Sequence, residues 1–263
     1  MSVPAASALA LWGAAYTAGT AADDVLTAIS GFGLTAGVRR DGPAPDGSSA
    51  ASIPGPGEAP AGPAALLPLL RSGAPSLVLP RPGDVRGLPV PAGPATASAL
   101  RAGAAVVLFE VGVTIVPIDG LWRIFAATGR PVNHELLPAR EELDAAVRRA
   151  TELFVTAELG VQAAAARQQV SDFVHQHSMP LPPGMPARAV ALLDRCIQLE
   201  ALLAVIGAHR TAAVNGHQLD QVAAVLGPLG DAARNGRAAA VNLAIAELLA
   251  ARPRPDLIPD RSA

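Results

Sequence analysis

An aspartate and an arginine two residues apart, Asp84 and Arg86, form the most site-like feature of this sequence. They lie in a polar loop, residues 80–87, which follows a predicted strand at residues 76–79 and is stiffened by two prolines. Loops held by a rigid scaffold often carry binding groups. We therefore predict Asp84 and Arg86 as binding residues. The alternative is a structural turn closed by a local ion pair.

The same stretch resembles a family of uncharacterised proteins from high-GC bacteria. The resemblance rests on residues 77–80 (Leu-Val-Leu-Pro) and residues 82–89 (Pro-Gly-Asp-Val-Arg-Gly-Leu-Pro). The family has no known function, so the resemblance implies no activity, cofactor or ligand.

Three other side chains are of types that perform acid–base or metal chemistry. Glu110 interrupts an apolar predicted strand, where a buried carboxylate could act as a general acid or base; the alternative is a hairpin end that reaches solvent. His175 and His177 form a His-x-His pair, but on a helix their rings point about 200° apart, and only Asp172 lies near them. We predict no metal site here, and the sequence indicates no cofactor.

Residues 219–241 imitate a helix-turn-helix, the DNA-binding arrangement in which a second helix enters the major groove. Gly236 falls where the second helix needs an apolar anchor, and only Arg234 and Arg237 would face DNA. The sequence favours instead two bundle helices joined by a Gly-Pro-Leu-Gly turn at residues 227–230.

The composition excludes several classes of function. All 20 basic residues are arginine, so the chain can form no lysine Schiff base and has no phosphate-binding P-loop lysine. The net charge is −2, with acidic residues and arginines interleaved, which argues against nucleic-acid binding. The single cysteine, Cys196, cannot form an internal disulfide and is predicted to be a buried, unreactive thiol.

The apolar segments predict a cytoplasmic protein without membrane contact. Residues 3–22 are uncharged and rich in alanine, but no basic residue precedes Arg39, as a secretory signal would require. The other apolar runs are interrupted by charges before the ~18–20 residues that a membrane-spanning helix needs.

The patterns predict an α+β fold, with a small antiparallel sheet and flanking helices followed by a C-terminal helical bundle. Two helices are predicted within the first forty residues. Three β-rich runs (106–110, 113–118 and 121–126) form a meander, in which Asp119-Gly120 suits a type I′ turn.

The predicted organisation has three parts. An α+β region spans residues 1–136 and contains a mobile loop near 41–63, where almost no large apolar residue occurs. A helical bundle spans residues 137–251, with the last helix beginning near Asp231. Residues 252–263 form a flexible tail.

Titratable residues are sparse and scattered, which favours a non-catalytic interaction or regulatory protein with a protein partner. The alternative is an enzyme of unrecognised type that uses acidic and arginine residues, here Asp84, Arg86 and Glu110. A cleft that gathers these three groups would favour the enzyme, whereas an exposed apolar surface would favour the partner. The sequence does not define the oligomeric state.

Overall fold

The computed structural model describes residues 2–44, 47–127, 129, 132, 135–156, 163–210 and 216–251. Short 3-10 turns lie at Ser49–Ser52 and Pro63–Leu66. The helices within the described residues are α1 (Ser2–Ala18), α2 (Ala22–Ser30), α3 (Leu67–Ser72), α4 (Pro94–Ala102), α5 (Leu136–Thr156), α6 (Ala163–His177), α7 (Ala187–Arg210) and α8 (Gly216–Ala250). The two predicted N-terminal helices correspond to α1 and α2.

Five strands form one mixed sheet in the order β1-β5-β4-β3-β2. They are β1 (Gly37–Asp41), β2 (Pro75–Val78), β3 (Ala105–Leu108), β4 (Val113–Ile118) and β5 (Leu121–Phe125). The α+β class is confirmed, but the sheet is not purely antiparallel, because β1 pairs in parallel with β5. The sequence interpretation missed β1, since Arg39, Arg40 and Asp41 give this strand no apolar pattern.

The β3-β4-β5 meander is confirmed, together with its tight turn. Both central turn residues have positive φ, 55° at Asp119 and 73° at Gly120, as a type I′ hairpin requires. The turn sets the register in which Ile118 pairs with Leu121.

Each face of the sheet is covered by a different set of helices. Helix α1 packs on one face, whose buried side chains include Leu77, Val106, Ile115 and Trp122. Helix α4 packs on the other face, whose buried side chains include Val78, Val107, Val116 and Phe125. Alternate residues of each strand thus serve two separate cores.

Helix α1 is buried over almost its whole length, from Pro4 to Ala15. It contacts β2, β3 and β4 on one side and α8 on the other, and its many alanines permit this close approach. Trp12 donates a hydrogen bond from Nε1 to the carbonyl of Pro180, 2.8 Å away, in the segment between α6 and α7. Helix α1 therefore joins the sheet to the C-terminal helices.

Helix α8 runs without a break through Pro228, so the predicted turn at residues 227–230 and the separate helix from Asp231 are wrong. A proline inside a helix costs about 3 kcal/mol, because it removes a hydrogen bond and crowds the preceding turn. Leu226 and Leu229 are nevertheless both buried, at 9% and 3% exposure. Their packing continues the apolar face across the proline and offsets the cost.

The sequence predicts a mobile loop near residues 41–63, and two apolar side chains of this segment are anchored in the core. Ala50 and Ile53 are buried at 0% and 1% exposure. Val38 of β1 exchanges two backbone hydrogen bonds with Ala61, at 2.8 and 2.9 Å. The mobility of this segment stays a prediction, as does that of residues 252–263, which lie outside the described residues.

Among the described residues, no helix combines the length and apolar character needed to cross a bilayer.

Candidate functional site

A tight turn opens the loop that contains Asp84 and Arg86. The backbone N–H of Arg81 donates to the carbonyl of Asp84, and the N–H of Asp84 donates to the carbonyl of Arg81, both at 2.9 Å. Pro82 and Gly83 occupy the two central positions, and Gly83 has a φ of 87°. Proline followed by glycine with positive φ is the sequence that a type II turn requires. The chain therefore enters the loop in a fixed direction.

Asp84 holds Arg86 through two parallel hydrogen bonds. Nε of Arg86 donates to Oδ1 of Asp84, and Nη2 donates to Oδ2, each at 2.9 Å. These hydrogen bonds lower the pKa of Asp84 to about 2, although its partial burial acts in the opposite direction. The same pairing raises the pKa of Arg86. Such a bidentate pair fixes the plane of the guanidinium as well as its position.

Arg234, on helix α8, reaches back to this loop. Its Nη1 donates to the carbonyl of Leu79 at 2.9 Å, directly after β2. Its Nη2 lies 3.5 Å from Asp84 Oδ2 and 3.6 Å from Asp231 Oδ1. Burial lowers the pKa of Arg234. Arg81 completes the group through an ion pair with Asp231, so three arginines surround two aspartates.

The loop between β2 and α4, residues 80–93, combines a buried anchor with exposed apolar tips. Leu88 is 2% exposed and packs with the face of the sheet that α4 covers. Val85 and Val90 are 47% and 86% exposed. They are two of the four large hydrophobic residues that are exposed in the described part of the chain. We call residues 80–93 the junction loop.

Arg234 also lines a cavity of about 370 Å³. Its wall includes Phe173 and His177 of α6, Glu200 of α7 and the first turn of α1. His177 stacks on Phe173 with ring centroids 3.7 Å apart, and its Nδ1 lies 2.9 Å from the Phe173 carbonyl. Glu200 accepts a hydrogen bond at 3.0 Å from Nε of Arg237, whose side chain is completely buried. The cavity thus brings together an imidazole, a carboxylate and a guanidinium.

The structure brings two of the predicted site residues together and separates the third. Asp84 and Arg86 form the pair described above. Glu110 is exposed and accepts a hydrogen bond at 3.2 Å from the N–H of Ala74, just before β2 begins. The junction loop follows the opposite end of β2. No cleft among the described residues therefore gathers Asp84, Arg86 and Glu110, and the hairpin-end alternative for Glu110 is the one observed.

The histidine pair lies on a helix, as predicted. His175 is exposed at the surface of α6, whereas His177 is half-buried against Phe173. Asp172, the nearest candidate for a further ligand, accepts a hydrogen bond from Gln168 at 2.8 Å. In the described part of the chain, no cluster of three or more potential metal ligands is found.

The helix-turn-helix alternative is wrong, because α8 contains no turn. Arg237, one of the two arginines on the supposed recognition helix, is fully buried and paired with Glu200.

Gly236 faces Cys196 of α7, and a Cβ atom at this position would lie 2.8 Å from the cysteine Sγ. This glycine is therefore required for helix packing. Cys196 is buried, as predicted, and burial raises its pKa to about 12.

Sequence reasoning missed the roles of Asp231 and Arg234 in this site. Their spacing of three residues on one helix shows only that both lie on similar faces. Their partners lie about 150 residues earlier in the chain; Leu79, for example, precedes Arg234 by 155 residues. No local pattern in the sequence carries that information.

Two family models match this chain, one for each of its regions. The model described as "Rv1486c-like protein, N-terminal domain" matches residues 6–136, and "Rv1486c-like protein, C-terminal domain" matches residues 138–238. No solved structure matches significantly.

Two curated proteins show the same relationship. "Uncharacterized protein Rv1486c" of Mycobacterium tuberculosis (strain ATCC 25618 / H37Rv) is 32% identical over 238 residues, covering 75% of this chain and 81% of the relative. "Uncharacterized protein MT1533" of Mycobacterium tuberculosis (strain CDC 1551 / Oshkosh) has the same identity and coverage. These matches confirm the resemblance to a family of high-GC bacteria. The chain belongs to the family of Rv1486c-like proteins.

Proposed function

We propose that this protein is a non-catalytic interaction protein of the cytoplasm and that the junction loop, residues 80–93, is its contact with a protein partner. One observation carries the proposal. The loop exposes Val85 and Val90 and also carries two arginines with solvent-accessible side chains, Arg81 at 45% exposure and Arg86 at 66%. Exposed apolar side chains next to arginine are typical of binding surfaces.

The electrostatics favour a partner with an acidic surface. Three arginines face two aspartates, and Glu142 also interacts electrostatically with Arg86, so the group is close to neutral; its most exposed charges are nevertheless those of Arg81 and Arg86. A carboxylate on the partner can approach the outer edges of these guanidinium groups, while Val85 and Val90 contact apolar side chains.

In this proposal Asp84 and Arg86 have different roles. Asp84 uses both carboxylate oxygens to hold Arg86 and lies close to Arg234, so it positions the loop on α8. Arg86 contacts the partner. Asp84 is therefore a positioning residue, and its effect on binding is exerted through Arg86.

Proximity crosslinking in the native cell, followed by mass spectrometry, tests the proposal. Arg86→Gln and Val90→Ser, singly and together, should reduce recovery of the same partner by about tenfold or more, because truncated central contacts commonly cost about 2 kcal/mol. Arg188→Gln is the matched control, since Arg188 is equally exposed at 63% but lies on α7 and pairs with Glu247. An unchanged set of partners in the double variant, with a normal melting temperature, would contradict the proposal.

A second candidate, an enzyme using acidic and arginine residues, is favoured by the cavity that Arg234 lines. It would use His177 and Glu200 in place of Glu110. The variant His177→Gln distinguishes the two functions. If the junction loop is the contact, the variant should recover the same partner as wild type. If the protein is an enzyme, an activity screen should detect turnover with wild type and a loss of turnover with the variant.

A further inference from the structure

A second charged groove lies against β1, at the edge of the sheet opposite β2, and we propose that it binds a phosphate group, free or carried by a small organic molecule. The groove has a volume of about 450 Å³ and is lined by Arg39 and Asp41 of β1, Arg123 of β5, and Pro94 at the start of α4. Gly42, Pro56 and Gly57 complete the wall. This inference does not depend on the proposed function.

Two arginines are placed side by side by the strand register. Arg39 of β1 pairs directly with Arg123 of β5, so their side chains leave the same face of the sheet about 5 Å apart. On β4 the neighbouring position is Val116, which belongs to the core beneath α4. The apolar face of the sheet therefore ends in two adjacent positive charges, with the carboxylate of Asp41 beside them.

Both guanidinium groups also have a buried donor without an acceptor. Nε of Arg39 and Nε of Arg123 are buried and make no hydrogen bond within the structure. Asp41 is the nearest acid: its Oδ1 lies 3.9 Å from Nε of Arg39, and its Oδ2 lies 3.1 Å from Nε of Arg123 without being aligned with that N–H. Because both Nε atoms are covered from solvent, neither can reach a ligand in the groove; the terminal guanidinium nitrogens, on side chains that are 27% and 22% exposed, are the groups left to hold a phosphate.

The start of α4 adds to the positive potential of the groove. Pro94 is in the first turn, the capping residue is Gly93, and no side chain caps the free backbone N–H groups there. The partial positive charge of a helix N-terminus favours an anion. Gly42 and Gly57 leave open space beside the groove, because a Cβ atom at either position would meet nothing within 4 Å.

The charges around the groove favour a phosphate group. Arg123 is also 3.8 Å from Asp119, which in turn pairs with Arg101 at 2.8 Å. The charged residues that line the groove itself, Arg39, Arg123 and Asp41, carry one net positive charge. Phosphate offers several strong acceptor oxygens to guanidinium groups that already lie next to each other. The groove is larger than inorganic phosphate, and the rings of Pro56 and Pro94 in its wall can contact the organic part of a phosphate ester.

Titration calorimetry with inorganic phosphate and with phenyl phosphate, on the full chain at low ionic strength, tests the proposal. Both probes should bind, and Arg39→Gln or Arg123→Gln should each weaken binding by about tenfold or more, since charge-assisted bidentate contacts are lost. Asp41→Asn should tighten binding, because it removes the acidic side chain that competes with the ligand. Tighter binding of phenyl phosphate identifies an organic phosphate as the ligand, and equal binding identifies free phosphate.

Arg101→Gln is the matched control, since this exposed arginine pairs with Asp119 but does not line the groove. It should change the affinity by less than about threefold, an effect of long-range charge alone. If a glutamine variant does not fold, Arg39→Lys replaces it, and it should bind more weakly than wild type while keeping its melting temperature. The proposal would be overturned if neither probe gave a binding heat at concentrations up to about 10 mM, which corresponds to very weak binding. Equal losses of affinity in Arg39→Gln and Arg101→Gln would overturn it as well.

Discussion

The side-chain amide of Asn242 forms two hydrogen bonds with the backbone of Leu77. Its Oδ1 accepts from the Leu77 N–H at 2.8 Å, and its Nδ2 donates to the Leu77 carbonyl at 2.9 Å. Leu77 lies in β2, which is the edge strand of the sheet. An amide presents the same donor and acceptor as a neighbouring strand does. Helix α8 therefore supplies hydrogen-bond partners to the outer N–H and carbonyl of Leu77. Without them, this edge of the sheet would be open to pairing with another chain.

Replacement of Asn242 by leucine should destabilise the protein by about 2 kcal/mol or more, because one N–H and one C=O of the buried Leu77 lose their partners. The free energy of unfolding, obtained from urea titration, measures this effect. Asn242→Gln is the matched comparison, since it keeps both the donor and the acceptor on a side chain one methylene longer, and it should lie between wild type and Asn242→Leu. Equal stability of all three proteins would mean that the amide contributes nothing at this edge.

Residues 1–136, expressed alone, should self-associate. Without α8, the outer edge of β2 and the buried face of α1 become exposed, and both favour pairing between chains. Light scattering at increasing concentration measures this association. A stable monomeric fragment would show that residues 1–136 fold independently of the C-terminal helices.

The Asp119-Gly120 turn gives a prediction about the hairpin between β4 and β5. Gly120 has a φ of 73°, so Gly120→Val should destabilise the protein by about 1–2 kcal/mol through strain at a β-branched residue. Gly120→Asn, which tolerates this conformation, should cost much less. Thermal unfolding compares the two variants, and similar melting temperatures for both would contradict the argument from φ.

Local patterns in the sequence predicted the parts of the fold that depend on neighbouring residues. The alternation in β4 and the Asp119-Gly120 turn are examples, because both depend on residues close together in the chain. Pro228 was misread as a helix boundary because the packing that carries α8 through it involves residues distant in sequence. The same holds for the candidate site. Asp84 and Arg86 are two residues apart and could be recognised in the sequence, whereas Arg234 comes close to them only in the folded protein.

The Asp84–Arg86 pair should make stability depend on pH in the acid range. The pKa of Asp84 falls from 3.8 to about 2 in the folded protein, so the carboxylate stabilises the fold above pH 3.8 and loses this contribution as the pH falls through about 2. Solvent screens this surface pair, which leaves about 1 kcal/mol.

Unfolding in urea at pH 5 and at pH 2, for wild type and Asp84→Asn, measures the contribution of this pair. Wild type should be more stable than the variant at the higher pH by about 1 kcal/mol, and the difference should shrink at the lower pH as Asp84 becomes protonated. A difference that stays constant between the two pH values would show that the charge of Asp84 does not contribute to stability.

The contact between Gly236 of α8 and Cys196 of α7 gives the last prediction. A Cβ atom at Gly236 would lie 2.8 Å from Sγ of Cys196, and this thiol is completely buried. Gly236→Ala should therefore destabilise the protein by about 1–3 kcal/mol through overpacking, although alanine is the better helix former by about 1 kcal/mol. Gly207→Ala is the control: this helical glycine of α7 has open space beside it, so the variant should be neutral or stabilising.

The double variant Gly236→Ala/Cys196→Ala separates overpacking from other causes. Removal of Sγ creates room for the new methyl group, so the double variant should be more stable than the sum of the two single changes by about 1 kcal/mol or more. The native thiol should also react slowly with a disulfide reagent, because burial raises its pKa to about 12 and leaves little thiolate near neutral pH. Faster reaction in Gly236→Ala would show that the added methyl group pushes the two helices apart at this contact; strictly additive stabilities would contradict the close approach of α7 and α8.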